Sequence, residues 1–445
     1  MTPSRTICLG FLALIAIGTV LLLLPISIAN GTYSDPLTAV FLATSAVCVT
    51  GLSVVDVGTY YSPFGQVVLL LLFQVGGLGY MTATTFLLVL IGRRFSLREK
   101  ITLQQSLDLP SIRGPAQVVK SIIATTLIFE IGGTLALLPV FWRSDNLPHT
   151  LWLAVFHSIS AFNNAGFSLF PDSLVGYVAE PLVNVVMPVL IVMGGIGYQV
   201  ILEIYIWLRS LLSPQRHDPK VSFSLNFKVV TTTTLFLLIL GSLSLWLTEI
   251  ANPNFASLSA TEKLWAAWFQ SVTARTAGFN TVDMGLMTPT ALFTMIVLMF
   301  IGASPGGTGG GIKTTTVRIL SSCTGSALHG RDEIALYRRQ IPSLLIFKAV
   351  GVVVGSMTVV ILTTALLSIS DRQIPFIQLF FEATSAFATV GLSTGITASL
   401  SPVGKCVLIV AMYIGRVGIL LLMAAFSGKA RHSLVKYPEE YLLVG

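Results

Sequence analysis

Long stretches without a charged residue recur along this chain, and they limit what it can fold into. An apolar helix needs about 20 residues to cross a bilayer, and eight stretches reach that length with at most one charged side chain. Only 10% of the 445 residues are charged, against roughly 25% in soluble domains. The sequence therefore predicts an all-α polytopic membrane protein. The predicted spans are 6–34, 57–92, 121–142, 182–208, 229–248, 285–312, 349–370 and 406–428.

Each connection after an odd-numbered span contains a short apolar segment that ends in a glycine. The four segments read FLATSAVCVTGLS, FHSISAFNNAGFS, WFQSVTARTAGFN and FFEATSAFATVGLS. Their aligned glycines are Gly51, Gly166, Gly278 and Gly391, at spacings of 115, 112 and 113. A constant period indicates internal duplication. It predicts four span, pore-loop, span repeats at residues 1–92, 93–212, 213–330 and 331–428, followed by a cytoplasmic tail at 429–445.

Segments of about 10 to 14 apolar residues are too short to span a bilayer and favour re-entrant half-helices. Four of them around one axis would direct the negative ends of their dipoles at a central cavity, where loop carbonyls can replace the water around a cation. Glycine allows a positive φ and leaves room for an ion. The predicted selectivity filter consists of Val49, Thr50, Gly51, Asn164, Ala165, Gly166, Thr276, Ala277, Gly278, Thr389, Val390 and Gly391. In the alternative interpretation, the glycines only let helices pack closely.

The distribution of Lys and Arg predicts the orientation of the chain. Most of the 26 basic residues fall at the amino end, in the connections after even-numbered spans and in the carboxyl tail. By the positive-inside rule this face is cytoplasmic, so both termini are predicted to lie there, in a bacterial inner membrane. The opposite face is acidic, which would attract cations, although membrane insertion alone also depletes an outer face of Lys and Arg.

At these loops the sequence resembles the superfamily of potassium transporters that includes the bacterial Trk and Ktr systems and the plant HKT proteins. The fourth loop, T-V-G-L at 389–392, looks like a shortened potassium-channel filter. The third loop, A-R-T-A-G-F-N at 274–280, looks like that of the ion-conducting subunit of the Ktr system. The resemblance covers essentially the whole chain.

This resemblance implies a pseudo-fourfold chain around one pore, paired as a homodimer. It also implies sodium-dependent potassium uptake under the control of a cytoplasmic ring of nucleotide-binding subunits. Potassium is then the transported ion, held at the carbonyls of Gly51, Gly166, Gly278 and Gly391, with sodium as a co-ion and no covalent cofactor. Each loop has one glycine where tetrameric channels have two, which implies weaker selection against sodium.

The sixth predicted span is interrupted by the sequence SPGGTGGGIKTTT at 304–316, which cannot hold a regular helix because proline and glycine weaken it. A loop is therefore predicted below the filter, similar to the intramembrane gating loop of the family. The predicted gating residues are Gly306, Gly307, Thr308, Gly309, Gly310, Gly311, Lys313 and Arg416. A phosphate-binding P-loop is excluded because Ile312, and not glycine, precedes Lys313.

Two arginines fall at membrane depth, where ionisable residues are functional candidates. We expect Arg416 to contact the 306–316 loop; the alternative is an ion pair with Glu130 or Glu203. We expect Arg275, three residues before Gly278, to brace the third filter strand through Glu262 or Asp283, since a bare guanidinium in the path would repel cations.

Two other functions compete with a cation pore. An alternating-access sodium- or proton-coupled symporter uses inverted repeats, whereas the repeats here each contain an even number of spans and are parallel. A membrane enzyme needs a reactive cluster, and His149, His157, His217, His329 and His432 show no metal-binding spacing. The chain is therefore predicted to be a transport protein and not an enzyme.

Overall fold

The computed structural model describes residues 3–79, 115–142, 146–212, 223–331 and 333–426. The helices in these residues are α1 (Pro3–Leu23), α2 (Pro36–Val47), α3 (Val57–Tyr60), α4 (Pro63–Leu78), α5 (Pro115–Phe141), α6 (Leu147–Phe162), α7 (Pro181–Gly195), α8 (Tyr198–Leu212), α9 (Leu225–Glu249), α10 (Ala260–Thr273), α11 (Pro289–Phe300), α12 (Thr314–Leu328), α13 (Ser343–Ser370), α14 (Phe376–Ala388), α15 (Pro402–Val417) and α16 (Ile419–Phe426). Strands β1 (Ala335–Leu336) and β2 (Arg339–Gln340) form a short antiparallel hairpin between α12 and α13.

Four of the described helices, α1, α5, α9 and α13, are long and apolar enough to cross a membrane. The number rises to six if the bent pairs α7 with α8 and α15 with α16 each count as one span. Residues 80–92, which complete the second predicted span, lie outside the described residues, as do the basic stretches at 93–113 and 216–220 and the tail at 429–445. The eight spans and the repeat boundaries therefore remain predictions.

The longer helix that follows each glycine loop begins with proline at its first position. These helices are α4, α7, α11 and α15. These prolines are Pro63, Pro181, Pro289 and Pro402. Proline suits this position because the first N–H of a helix has no partner inside the helix. The hydroxyls of Ser62, Thr288 and Ser401 accept a hydrogen bond from a main-chain N–H in the first turn of three of these helices. Each of these helices therefore starts at a defined residue.

Three of these helices, α4, α7 and α15, end just before equivalent glycines. Gly79, Gly197 and Gly418 have φ of 78°, 92° and 82°, values that a helix cannot continue through. The chain bends by 109° between α7 and α8 and by 93° between α15 and α16. The sequence prediction placed a break in the sixth span only and was incomplete. A single glycine within an apolar stretch does not reveal whether its φ is positive, so these two bends were not predicted.

The short helices α2, α6, α10 and α14 precede the four glycine loops, and they pack in a closed order. Helix α4 packs on α6, α7 on α10, α11 on α14, and α15 on α2. Each helix after a loop thus supports the short helix of the next loop, and the last one returns to the first. This arrangement brings the four loops together at the centre of the protein.

Candidate functional site

Each glycine loop leaves its short helix through a residue with left-handed backbone. The loops are loop 1 (49–51), loop 2 (164–166), loop 3 (276–278) and loop 4 (389–391). The left-handed residues are Val49 (φ 57°), Asn164 (φ 57°), Thr276 (φ 70°) and Thr389 (φ 51°). This conformation is uncommon for residues other than glycine and is costly for β-branched ones, which three of the four are. Its recurrence at aligned positions shows that the loops share one constrained backbone shape.

Main-chain hydrogen bonds hold the turn between each short helix and its loop. The N–H of the residue before the glycine returns to a carbonyl of the last helical turn. The bonds are Thr50 to Ser45 (2.7 Å), Ala165 to Ser160 (2.8 Å), Ala277 to Thr273 (2.9 Å) and Val390 to Ser385 (2.8 Å). Such bonds are typical of a helix that ends in a left-handed residue. Each loop conformation is therefore fixed by its own helix.

The four glycines, which we call the glycine ring, contact one another in cyclic order. A Cβ atom on Gly51 would lie 2.5 Å from the carbonyl oxygen of Ala165 in loop 2. A Cβ on Gly166 would lie 2.8 Å from the oxygen of Ala277, and one on Gly278 would lie 2.5 Å from that of Val390. A Cβ on Gly391 would overlap the oxygen of Thr50, which closes the ring on loop 1. Positive φ values of 72° to 93° add a second reason for glycine at these positions.

The side chains of the loops are withdrawn from the surface, whereas three of the four ring glycines are partly exposed and Gly278 is buried. All eight non-glycine residues of the four loops are fully buried. Gly51, Gly166 and Gly391 are half-buried. The groups that can face a path through the centre are therefore main-chain atoms. The structure thus brings together the twelve residues that were predicted to form the filter, and it does not scatter their glycines among helix contacts.

The interrupted segment lies against this ring from one side. The chain is not helical between the end of α11 at Phe300 and the start of α12 at Thr314, and we call residues 301–313 the inner loop. A Cβ atom on Gly309 would overlap the hydroxyl of Thr276, and one on Gly310 would overlap that of Thr389. The predicted break in the helix is therefore present, and the inner loop touches loops 3 and 4.

The inner loop is folded back on itself and tied to α7. Gly302 N–H donates to the Ile312 carbonyl at 2.9 Å, which closes the base of the loop. Thr308 N–H donates to the Gly194 carbonyl at 3.0 Å, and Lys313 Nζ donates to the Gly309 carbonyl at 2.9 Å. A cavity of about 540 Å³ is lined by Gly306 to Gly311, Lys313 and Arg416, and none of the residues of loops 1 to 4 line it. The inner loop thus separates the glycine ring from this cavity.

Arg416, near the end of α15, connects the inner loop to another helix. Its guanidinium donates to the Thr308 carbonyl and to the Gly76 carbonyl, and it donates to the Gly77 carbonyl at 3.3 Å. The expected contact with the 306–316 loop is present. A guanidinium has five N–H donors in one plane, so one side chain can hold two segments together.

The alternative partners of Arg416 have other hydrogen bonds. Glu130 accepts from the amide of Gln74 at 2.8 Å and from that of Asn163 at 3.1 Å. Glu203 accepts from the hydroxyl of Ser224 at 2.7 Å. In the described residues, the hydrogen bonds of Arg416 go to main-chain carbonyls and not to these carboxylates.

The prediction for Arg275 was wrong about its partner. Arg275 is buried and donates to the Gly302 carbonyl of the inner loop at 3.1 Å. Glu262 instead caps the start of α10 with Ser259, and Asp283 accepts from Gly285 N–H at 2.8 Å. The physical reason is distance, since the 13 residues from Glu262 to Arg275 extend along a helix for about 20 Å. Arg275 therefore contacts the segment on the inner side of loop 3.

Two buried polar residues of the short helices escaped the sequence prediction. His157 and Glu382 both lie nine residues before a loop glycine, and both are fully buried. The signal was in the aligned segments, where a histidine and a glutamate stand at a position that holds Leu42 and Phe269 in the other two.

Comparisons with known proteins agree with this architecture. Residues 2–433 match the model of the TrkH family, described as a cation transport protein. The chain is 39% identical over 451 residues to the Ktr system potassium uptake protein B of Bacillus subtilis (strain 168), covering 100% of this chain and 97% of that protein. It is 39% identical to the protein of the same name from Vibrio alginolyticus, covering 99% of this chain and 94% of that protein.

A solved structure shows the same fold. The crystal structure of the potassium transporter TrkH from Vibrio parahaemolyticus superposes with a TM-score of 0.72 at 20% identity, covering 94% of this chain and 83% of that chain. The relatives are transporters, which confirms the prediction of a transport protein and not an enzyme. The resemblance stated from the loop sequences is confirmed as well, and the chain belongs to the TrkH family of cation transport proteins.

Proposed function

We propose that this protein mediates potassium uptake across the bacterial cell membrane through a channel-like pore at the glycine ring. The observation that carries the proposal is the closed cyclic contact of Gly51, Gly166, Gly278 and Gly391. A ring of main-chain carbonyls can replace the hydration shell of a monovalent cation. Relatives that are 39% identical over nearly their whole length bear the name potassium uptake protein.

The pore is proposed to be fixed, and not an alternating-access sodium- or proton-coupled symporter. Each loop is locked by hydrogen bonds to its own short helix and contacts both neighbours in the ring. A carrier has to rock one half of the molecule against the other around the site. Such a movement would break the contacts of the ring, so the geometry favours a stationary filter.

The inner loop is the proposed gate. It lies between the glycine ring and the 540 Å³ cavity, and a cation has to pass it to leave the filter on that side. Its glycines leave no side chain to be displaced, and Arg416 and Lys313 hold it through carbonyls. Movement of the inner loop, with little movement of the ring, would then open the path.

The remaining parts of the proposal come from the family resemblance. They are a homodimer in the inner membrane with both termini cytoplasmic, dependence of uptake on sodium, and control by a cytoplasmic ring of nucleotide-binding subunits. The relatives are named Ktr system potassium uptake protein B, which supports a system with more than one component. Co-purification with a nucleotide-binding subunit would test the partner. Potassium uptake measured with and without this subunit, at varied sodium, would test its control and the dependence on sodium.

Growth of a potassium-uptake-deficient bacterium at low potassium tests the pore itself. We expect the wild-type chain to restore growth and the Gly278→Ser and Gly391→Ser variants to require more potassium. Two matched controls separate crowding from backbone strain. A Cβ on Gly132 would meet nothing within 4 Å, and Gly395 has a φ of 89° with nothing within 4 Å. Growth that is equally supported by Gly391→Ser and Gly395→Ser would contradict a filter at the ring.

A further inference from the structure

His157 and Glu382 stand at equivalent places behind two of the four loops. Each lies nine residues before its loop glycine, in α6 and α14 respectively. Both side chains are 0% exposed, which is unusual for these residue types unless their polar atoms are hydrogen-bonded. Loops 1 and 3 have Leu42 and Phe269 at the same place.

Both side chains reach a serine two residues after the loop glycine. His157 Nε2 lies 3.0 Å from Ser168 Oγ. Glu382 Oε1 accepts from Ser393 Oγ at 3.0 Å and also accepts from Thr397 Oγ1. Each contact joins the short helix that leads into a loop to the strand that leads out of it. We call these two contacts the braces.

The geometry defines how the brace at loop 2 is protonated. His157 Nδ1 lies 2.8 Å from the Leu153 carbonyl, which can only accept, so the proton is on Nδ1. In the neutral ring, which complete burial favours, Nε2 is the acceptor and the Ser168 hydroxyl donates to it. Ser168 Oγ in turn accepts from Phe170 N–H at 3.0 Å. Ser393 Oγ accepts in the same way from Gly395 N–H at 3.0 Å, and the brace at loop 4 has an additional donor to Glu382, the hydroxyl of Thr397.

Loops 1 and 3 are built differently at these positions. Ser53, the equivalent of Ser168, has hydrogen bonds only to Val55 within its own segment among the described residues. Asn280, the equivalent in loop 3, donates its amide to Val282 of its own segment, and loop 3 is tied to its helix one residue earlier, where Thr273 Oγ1 donates to the Phe279 carbonyl at 2.6 Å. Loops 2 and 4 lie across the ring from each other, because Gly166 and Gly391 are each next to Gly51 and Gly278. The braces therefore act along one diagonal of the ring.

We propose that His157 and Glu382 are positioning residues that set the width of the glycine ring along this diagonal and thereby its preference for potassium over sodium. The inference rests on the proposed pore. A smaller sodium ion is held only where the carbonyls can close in on it. A strand tied to its helix just after the glycine resists that closure, whereas loop 1, which has no such side-chain tie among the described residues, adapts.

The test compares Ser168→Ala and Ser393→Ala with Ser53→Ala. Each change removes a hydroxyl that accepts a main-chain N–H two residues on, but only the first two remove the serine contact of a brace. The readout is the ratio of potassium to sodium uptake, normalised to protein in the membrane. Loss of one buried hydrogen bond corresponds to about a three- to tenfold fall in this ratio. We expect that fall for Ser168→Ala and Ser393→Ala and less than about twofold for Ser53→Ala.

Substitutions at Glu382 separate hydrogen bonding from charge. Glu382→Gln keeps an oxygen that accepts from Ser393, so we expect the ratio to stay near that of the wild type. Glu382→Leu copies the residue of loop 1 and should lower the ratio as Ser393→Ala does. Equal effects of Gln and Leu would overturn positioning in favour of a role for the charge.

The braces and the pore can fail separately. If Ser168→Ala and Ser393→Ala behave as Ser53→Ala does while Gly278→Ser lowers the ratio, the pore stands and the braces are overturned. If Gly278→Ser leaves the ratio unchanged, the proposed filter is overturned, and the inference falls with it.

Discussion

Two stretches of non-helical backbone meet at the centre of this protein, and they are held in opposite ways. In the glycine ring, each loop is bonded to the helix directly before it, through distances of 2.7 to 2.9 Å. The inner loop is held by elements that are remote in sequence, among them the end of α7 and the side chain of Arg416 on α15. The loops of the glycine ring are therefore fixed by adjacent residues of the chain, whereas the position of the inner loop depends on contacts with other helices.

This difference bears on what each region can do. Non-helical backbone at membrane depth needs its polar groups satisfied by protein or by water in a cavity. In loops 1 to 4, the N–H before each glycine is bonded to the helix of the same repeat, so moving the loops means unwinding helix ends. The inner loop can exchange Arg416 for water from the adjoining cavity. The ring is therefore suited to a fixed ion site and the inner loop to a movable barrier.

The largest effect is expected from a methyl group in the ring. Alanine at each ring glycine would crowd the carbonyl of the next loop, most at Gly391, then at Gly51 and Gly278, and least at Gly166, where the distance is 2.8 Å. Crowding of this kind costs about 1–3 kcal/mol, which corresponds to about a 5- to 150-fold rise in the potassium concentration for half-maximal uptake. Uptake assays on the four variants should reproduce this order. Gly395→Ala, with similar φ and open space, should change it by less than about twofold. Equal effects at all five glycines would mean that contact around the ring is irrelevant.

A smaller effect of opposite sign is expected from Arg416→Ala. Removing the guanidinium frees the carbonyls of Thr308 and Gly76 that it joins. If the inner loop is the barrier, the maximal uptake rate should rise about tenfold, the equivalent of one charge-assisted hydrogen bond. Arg416→Lys should lie between wild type and alanine, because an ammonium group lacks the planar fork that reaches two carbonyls. Unchanged uptake by a variant of equal abundance in the membrane would remove the gating role.

The sequence predicted the parts of this site that depend on pattern. Four short apolar segments that each end in a glycine predict re-entrant turns, and the run of glycines after Pro305 excludes continuous helix. The structure has loops at those places. The side-chain partners were harder to predict. Arg275 was assigned to carboxylates near it in sequence, but Glu262 lies at the other end of α10 and Asp283 caps the turn at Met284–Leu286. Arg416 donates to carbonyls of the inner loop and of the last turn of α4. The positions of these groups relative to Arg416 depend on φ at Gly79 and Gly418, where α4 and α15 end. Such contacts follow from the assembled ring and not from any one segment.

The smallest effect tests whether the two regions are coupled. A Cβ on Gly310 would overlap the hydroxyl of Thr389. It would lie 3.2 Å from Cγ2 and 3.3 Å from Cβ of Thr389. Gly310→Ala alone should push the inner loop away from loop 4 and change half-maximal uptake about threefold, within the range of overpacking effects. Thr389→Ala removes both crowding atoms, so the double variant should return close to the wild-type value. Gly325→Ala, where nothing lies within 4 Å of the added methyl group, is the matched control. Additive effects in this cycle would show that the inner loop and the ring respond independently, since coupled residues deviate from additivity.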